Sequence, residues 1–174
     1  MSSSQKLWIV QIIPKADKNI KLLTHWQSLT LPNTFYKIVS GVLASRLISV
    51  LDCLVWPEQK GFVPQRFIGE VIRTKFYIFQ HAKDKNLPGH ILLIDFEKVF
   101  DSVSFKIINS TLEMFGFGKY YRELIIILLK DFEACINNSG NISNRFPVKP
   151  SCRQGDQISA YLFILCIELL ANAF

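Results

Sequence analysis

Apolar residues along the first half of the chain follow patterns that predict one strand and two helices. Residues 7–13 form a short apolar run that predicts a strand, which Pro14 ends. Residues 20–32 show no clear period. From Asn33, a suitable N-cap, apolar residues recur at helical spacing as far as residue 51. A loop punctuated by glycine and proline follows, and residues 68–85 predict a second helix.

The most informative pattern in the chain is an apolar run that ends in an acid. Residues 91–94 are all apolar and lead directly into Asp95, which is how a buried strand delivers a carboxylate at its C-terminal end. Two further acids follow, Glu97 and Asp101. A carboxylate at a strand end suits Mg²⁺, a hard cation that prefers oxygen ligands. The alternative is a strand followed by an acidic turn that caps a helix, with Asp101 or Ser102 as the cap.

The second half of the chain alternates helical patterns with one hairpin pattern. Residues 104–115 predict an amphipathic helix closed by Gly116, and residues 119–132 predict another. Residues 133–137 and 142–148 are expected to pair across a turn-rich tetrad. An apolar helix is expected from about residue 160 onward. These elements together predict a mixed α and β domain.

Between the hairpin and the last helix, residues 153–156 read Arg-Gln-Gly-Asp. A glycine in a loop that enters a helix lets backbone approach a ligand closely, and the free N–H groups of the helix start favour phosphate. The Gln154 amide can hydrogen-bond a sugar hydroxyl or a base edge. The alternative is a glycine turn in which Asp156 or Ser159 serves as N-cap.

Composition indicates a folded, basic chain. Its 174 residues are 49% hydrophobic, and 20 Lys and Arg against 14 Asp and Glu give a net charge of +6. That charge fits a polyanionic partner, although dispersed basic residues also occur on ordinary solvated surfaces. The cysteines lie far apart with no histidine at metal-ligand spacing, which is typical of reduced core cysteines in an intracellular protein. Neither a signal peptide nor a membrane span is recognisable.

Taken together, the motifs resemble the reverse transcriptase of LINE-type (non-LTR) retrotransposons. The run ending in Asp95 continues as Phe-Glu-Lys-Val-Phe-Asp-Ser-Val, and Arg-Gln-Gly-Asp with an apolar helix follows at the family's usual separation. The likeness covers residues 7–174. Further matching segments are residues 33–38 with 43–47, residues 57–64 with Arg66, residues 86–89 and residues 115–118.

The resemblance implies an α+β fold divided into two segments. Residues 1–89 would be a helix-rich fingers-like segment. Residues 90–174 would be a partial palm, a ferredoxin-like sheet with helices that carries the first catalytic-Asp strand and the Arg-Gln-Gly-Asp loop, with the central hairpin missing. The implied activity is RNA-directed DNA polymerisation, with Mg²⁺ as cofactor and with RNA template, DNA primer and dNTP as partners. The resemblance also implies a nuclear or cytoplasmic location.

The resemblance also implies roles for particular residues. Asp95 would be the catalytic and metal-binding carboxylate, Phe96 would place its backbone near the metal and the triphosphate, and Phe100 would stack under the sugar and reject a 2′-hydroxyl. The Asp95 carboxylate, the Phe100 ring and the glutamine–glycine loop are expected to converge on one concave surface. The residues implied to line the nucleotide pocket are Phe96, Phe100, Arg153, Gln154 and Gly155. Candidate nucleic-acid or phosphate contacts are Lys15, Arg46 and Arg66.

Three departures from the family pattern qualify these expectations. The sequence stops at Phe174, before the Tyr/Phe-Ala-Asp-Asp turn that supplies further metal-binding aspartates, so this chain is expected to be inactive on its own. Gln27 stands where the family has an arginine on the triphosphate, and Gln157 and Ala160 replace two prolines. Two other interpretations remain: a non-catalytic nucleic-acid-binding relic, and an unrelated α/β domain with a structural role.

Overall fold

The computed structural model describes residues 5–16, 19–96, 99–148, 152 and 155–172, with backbone alone at residues 23, 99 and 101. The strands are β1 (Leu7–Pro14), β2 (Trp26–Leu31), β3 (Phe132–Asn138), β4 (Asn141–Ile142) and β5 (Phe146–Val148). The helices are α1 (Thr34–Leu54), α2 (Gly69–Asp84), α3 (Val99–Ser102), α4 (Phe105–Met114), α5 (Lys119–Leu129) and α6 (Gln157–Ala171). The α+β class expected from the sequence is confirmed at this level.

One mixed sheet joins strands from the first and the second half of the sequence. Strand β1 pairs antiparallel with β2, where Ile9 faces Leu31, and parallel with β3, where Leu7 faces Glu133. The sheet order is β2-β1-β3-β4, and β5 also pairs with β3. Since β1 lies in the first predicted segment and β3 in the second, these two segments share one sheet. Their division at residue 89 remains a prediction.

The hairpin predicted for residues 133–148 is confirmed, as is its turn. Asn138 pairs with Asn141, and β4 and β5 both run antiparallel to β3. The two residues between the paired asparagines, Ser139 and Gly140, have φ of 51° and 93°. Positive φ at both central positions is the type I′ geometry that matches the twist of a two-residue hairpin. Glycine is suited to the second position because it adopts positive φ without steric cost.

Strand β2 lies in the region for which the sequence predicted no element. Its residues are mostly exposed, so they show no alternation of buried and exposed side chains. The strand forms because its backbone pairs along β1 over six residue pairs, from Ile9 with Leu31 to Pro14 with Trp26. Backbone pairing of this kind leaves no signal in a hydropathy pattern.

The predicted strand at residues 91–94 is wrong for this structure. Residues 91–96 have no regular secondary structure, and the side chains of Leu92 and Leu93 are 81% and 74% exposed. A strand requires a neighbour to pair its backbone N–H and C=O groups. Among the described strands, none pairs with this segment. Asp95 therefore follows an exposed, irregular segment instead of ending a buried strand.

The core forms where α6 packs against α1 and α4 beside the sheet. The helix predicted from Asn33 is confirmed as α1, and the Asn33 side chain accepts a 2.8 Å hydrogen bond from the Phe35 N–H as its N-cap. Helix α6 buries Ile158, Leu162 and several further side chains. Within the described chain, no helix is both long enough and apolar enough to cross a membrane.

Helix α2 confirms the predicted helix at residues 68–85, but it lies apart from this core. It has no buried residue among those described, and apolar side chains such as Phe76 are exposed. Its first turn is joined to the preceding loop by a 2.5 Å ion pair between Lys60 and Glu70. That ammonium group holds the pKa of the Glu70 carboxyl below its ordinary value through a hydrogen bond and charge attraction.

Candidate functional site

The start of α6 lies close to the backbone of β2. Gly155 has φ of +95°, and a Cβ on this residue would lie 3.4 Å from the Thr30 carbonyl oxygen. An L side chain would be strained at this positive φ. The backbone geometry therefore requires glycine here, independently of any ligand.

The Asp156 carboxylate, next along the chain, is buried and accepts hydrogen bonds from three hydroxyl groups. Tyr36 Oη donates to Oδ2 at 2.8 Å, Ser159 Oγ donates to the same oxygen at 3.0 Å, and Ser40 Oγ donates to Oδ1. Asp156 occupies the N-cap position of α6, as the alternative interpretation held, yet its side chain makes no capping bond to the helix backbone. The carboxylate instead ties the start of α6 to α1.

The Tyr36 phenol is held rigidly by two neighbouring aromatic rings. Its ring packs edge-on against Trp8 of β1, with centroids 5.0 Å apart, and against Phe132 of β3, with centroids 5.3 Å apart. Trp8 and Phe132 also contact each other at 4.9 Å, and all three side chains are fully buried. The sheet thus fixes the direction in which the Tyr36 hydroxyl points.

Gly41 of α1 lies next to the side chain of the first residue of α6. A Cβ on Gly41 would lie 2.8 Å from Oε1 of Gln157, the first residue of α6. A side chain at residue 41 would have to displace the Gln157 amide. Gln157 is the first residue of α6, so the helix begins here without the proline that the resemblance led us to expect.

Phe100 lies against the same helix, further along. Its ring packs against Phe163 with centroids 5.1 Å apart, and its side chain is half-buried at the edge of the core. Phe163 is six residues beyond Gln157, which corresponds to about 9 Å along an α-helix. Helix α6 thus carries the Gly155–Asp156 turn at its start and supports Phe100 less than two turns away.

The other predicted site residues are exposed or lie outside the described residues. Asp95 and Phe96 are both exposed. Arg153 and Gln154 fall outside the part of the chain that the structure describes, as does Glu97, and the same holds for the Asp101 side chain. The predicted convergence of Asp95, Phe100 and the glutamine–glycine loop therefore remains a prediction.

The described residues do not form a complete metal site. Among the described residues, no three His, Cys, Asp or Glu side chains are grouped so that they could hold a metal ion. Asp95 provides one exposed carboxylate of the hard-oxygen type that Mg²⁺ prefers. A single ligand does not fix two ions, so the described residues do not by themselves fit a two-ion centre.

The three predicted phosphate contacts differ in whether the charged group is bonded within the fold or exposed to solvent. The Arg66 guanidinium donates to the Asp52 carboxylate at 2.7 Å and to the carbonyls of Val55, Trp56 and Gln59, and its side chain is only 11% exposed. Arg46 is exposed on α1, and Lys15 is exposed while donating to the Thr24 carbonyl at 3.3 Å. Arg66 is thus engaged within the fold, whereas Arg46 and Lys15 face solvent.

Sequence reasoning missed three polar groups that shape this region. Tyr36 and Ser40 are spaced four residues apart on α1, and both lie on its buried face. A serine among core-facing positions was the one available signal. Glu168 was also missed: its buried carboxylate accepts a 3.1 Å hydrogen bond from the Trp56 N–H, which anchors the loop after α1 to α6.

Cys152, just before the Arg-Gln-Gly-Asp segment, is fully buried in the core. Burial raises the pKa of its thiol to about 12, and the nearby Cys166 and Asp156 act in the same direction. The thiol is therefore protonated and unreactive at neutral pH, as expected for a packing residue. Cys152 and Cys135 lie in the core as the sequence predicted, whereas Cys166 is half-buried and Cys53 is exposed.

Comparison with known proteins defines the class to which this arrangement belongs. The chain belongs to the reverse transcriptase (RNA-dependent DNA polymerase) family, whose model matches residues 13–174. It is 27% identical over 160 residues to the Transposon TX1 uncharacterized 149 kDa protein of Xenopus laevis, covering 92% of this chain and 12% of that protein. It is 25% identical over 146 residues to the Retrovirus-related Pol polyprotein from type-2 retrotransposable element R2DM of Drosophila melanogaster, covering 83% of this chain and 14% of that polyprotein.

These comparisons confirm the lineage expected from the sequence. The chain is a reverse transcriptase domain sequence of the non-LTR retrotransposon type. Reverse transcriptases as a family use a divalent metal and act on a nucleic-acid template and primer. The chain spans less than a sixth of the length of these two relatives.

Proposed function

We propose that this chain forms the nucleotide-binding part of an RNA-directed DNA polymerase, with dNTP, an RNA template and a DNA primer as its ligands. The observation that carries the proposal is the family match, which includes the Arg-Gln-Gly-Asp segment at the start of α6. At that point Gly155 has positive φ and lies against β2. In this proposal residues 1–89 act as fingers, and residues 90–174 act as part of a palm.

The nucleotide would bind between the start of α6 and Phe100. Arg153, Gln154 and Gly155 would line the pocket, with Phe96 offering backbone groups near the triphosphate. The half-buried Phe100 ring is backed by Phe163, so it has little freedom to move away from a ligand. A ring held in this way can reject a 2′-hydroxyl by steric exclusion.

Asp95 would contribute one ligand to Mg²⁺. Its exposure leaves the carboxylate accessible to an ion and to the substrate phosphates that commonly complete a magnesium shell. The family's divalent metal stabilises charge on the transferring phosphoryl group when it is bound. Further carboxylates would have to come from outside the described residues, since these contain no three-ligand group.

Nucleic acid would be held through phosphates by exposed basic side chains. Arg46 and Lys15 are the contacts that fit best, because both are exposed. Arg66 would act indirectly by holding the loop after α1, since its guanidinium is already bonded to the Asp52 carboxylate and to four backbone carbonyls. Contacts of this kind predict binding that is insensitive to sequence and that weakens steeply with salt.

The proposal is tested by nucleotide binding in the presence of an RNA–DNA hybrid and Mg²⁺. We expect the chain to bind dGTP about tenfold more tightly than GTP, a difference of about 1.4 kcal/mol. Phe100→Val is expected to remove this preference, because the smaller side chain leaves room for the 2′-hydroxyl. Phe117→Val is the matched control, since Phe117 is another half-buried aromatic, and its ring stacks on Tyr121 of α5. Equal affinity for dGTP and GTP, or no nucleotide binding, would contradict the proposal.

A further inference from the structure

We propose that Tyr36, Ser40 and Asp156 form a positioning cluster that sets the affinity of the neighbouring Arg-Gln-Gly segment for nucleotide. This inference rests on the proposed function, because it concerns the same pocket. No member of the cluster is proposed to touch the substrate. The three side chains act by fixing the residue that directly follows Gly155.

Both oxygens of the Asp156 carboxylate are engaged by hydroxyl groups from α1. Oδ2 accepts from Tyr36 Oη at 2.8 Å, and Oδ1 accepts from Ser40 Oγ. Asp156 is only 8% exposed, so water is poorly placed to replace either hydroxyl if it is removed. These two donors, together with Ser159 Oγ on Oδ2, hold residue 156 in place.

The donors are themselves fixed by parts of the fold that lie far from the loop. Tyr36 is packed between Trp8 and Phe132, which belong to adjacent strands of the sheet. Ser40 follows one helical turn later on the same buried face of α1. The cluster therefore holds the start of α6 at a fixed position relative to the sheet and α1.

Helix capping alone does not explain the acid. Asp156 lies at the N-cap position of α6, yet its carboxylate makes no capping bond to the helix backbone. Instead it accepts hydrogen bonds from residues 116 and 120 positions away in sequence. The carboxylate also accepts a hydrogen bond from Ser159 Oγ in the first turn of α6, so the acid at this position serves tertiary placement of the turn in addition to this local contact.

The residues on either side of Asp156 are constrained against the same two elements. Gly155 lies against the Thr30 carbonyl of β2, and Gln157 lies over Gly41 of α1. Three consecutive residues thus have close contacts with β2 or α1. Loss of a hydroxyl from the cluster is expected to let this turn shift, which would misplace the pocket without removing any ligand-binding group.

The test compares Tyr36→Phe and Ser40→Ala with matched controls in the full chain. Tyr121→Phe is the control for Tyr36→Phe, because the Tyr121 hydroxyl also bonds to α1, donating to the Leu43 carbonyl at 3.0 Å. Ser45→Ala is the control for Ser40→Ala, because the Ser45 hydroxyl bonds within α1 to the Val42 carbonyl. The probe is dGTP labelled on its γ-phosphate, with Mg²⁺ and an RNA–DNA hybrid, and affinity for the hybrid alone is measured in parallel.

We expect Tyr36→Phe and Ser40→Ala each to weaken dGTP binding about fivefold, the effect of one misplaced hydrogen bond. Hybrid affinity is expected to stay unchanged, and both control variants should bind dGTP as the original chain does. Hydrogen exchange at the amides of residues 155–159 should quicken in Tyr36→Phe and not in Tyr121→Phe. Asp156→Asn should weaken dGTP binding too, but the two α1 variants test the inference even if that protein does not fold.

The outcomes separate this inference from the proposed function. If the original chain binds dGTP and all variants bind it equally well, the positioning role is wrong and the proposed function stands. An equal loss of dGTP affinity in Tyr36→Phe and Tyr121→Phe would also overturn the positioning role, because such a loss would reflect general destabilisation. If the original chain binds no dGTP, the proposed function fails and the inference fails with it.

Discussion

The Tyr36 hydroxyl donates a 2.8 Å hydrogen bond to the Asp156 carboxylate, joining two residues that are 120 positions apart in the sequence. This bond connects the first long helix to the last one inside the core. Asp156→Ala would leave the hydroxyls of Tyr36, Ser40 and Ser159 without their shared acceptor. We expect the free energy of unfolding to fall by about 3 kcal/mol, because buried hydroxyls would lose hydrogen bonds to a charged group.

Urea denaturation of Asp156→Ala checks this expectation. Glu58→Ala provides the control, since Glu58 is an exposed acid. Its removal should change the free energy of unfolding by less than about 0.5 kcal/mol. A loss from Asp156→Ala no larger than that of the control would mean that the carboxylate does not hold α1 and α6 together.

Arg66 and Arg46 should respond to substitution in opposite ways. Arg66→Ala removes the bonds to Asp52 and to the carbonyls of the loop after α1, so we expect the free energy of unfolding to fall by roughly 2–3 kcal/mol. Arg66→Lys should recover little of this loss, because an ammonium group cannot reproduce the planar fork. Arg46→Ala should leave stability unchanged and reduce the salt dependence of hybrid binding by about one counterion. The assignment of Arg66 to fold stability and of Arg46 to hybrid binding would be wrong if Arg46→Ala destabilised the fold. It would also be wrong if Arg66→Ala left the free energy of unfolding unchanged.

The buried phenol of Tyr121 is expected to make the folded protein less stable at alkaline pH. Burial raises the pKa of its phenol to about 12, above the ordinary value of 10.0. The unfolded chain therefore releases this proton at lower pH than the folded chain does, and the stabilisation, present below pH 10, is lost as pH rises toward 12. Tyr121→Phe should show a shallower decline in the free energy of unfolding over that interval. Identical declines in the two proteins would contradict the burial of this phenol.

The exposed segment at residues 91–96 can be tested by substitutions in apolar residues of equal size. Leu92 is 81% exposed and Leu112 is fully buried in α4. We expect Leu92→Ala to change the free energy of unfolding by less than about 0.5 kcal/mol. Leu112→Ala should lower it by roughly 2–5 kcal/mol, because it leaves a cavity in the core. A comparable loss from Leu92→Ala would show that this segment is packed as the sequence predicted.

Elements defined by local chemistry were predictable from the sequence. The Asn33 cap, the helix end at Gly116 and the turn before Asn141 depend on residues within a few positions of one another, and each of them was placed correctly. The strand at residues 91–94 was wrong because an apolar run shows that a segment can be buried, whereas a strand also needs a paired neighbour. Strand β2 was missed for the converse reason, since its backbone pairing leaves no hydropathy period.

The candidate site was predictable only in part. The sequence identified the Arg-Gln-Gly-Asp segment and weighed Asp156 as a helix cap, and Asp156 does occupy that position. It gave no indication that the carboxylate would bind two hydroxyls of α1 instead. Those partners lie more than a hundred residues away, and only the folded arrangement of sheet and helices brings them together.

Primer extension on an RNA template tests the central claim most directly. The chain would be joined to the family's Ala-Asp-Asp hairpin and assayed with Mg²⁺ and dNTPs, beside the same protein carrying Asp95→Ala. We predict extension that Asp95→Ala abolishes, because Asp95 is the carboxylate of this chain proposed to hold the metal. Extension that persists in Asp95→Ala would contradict the account.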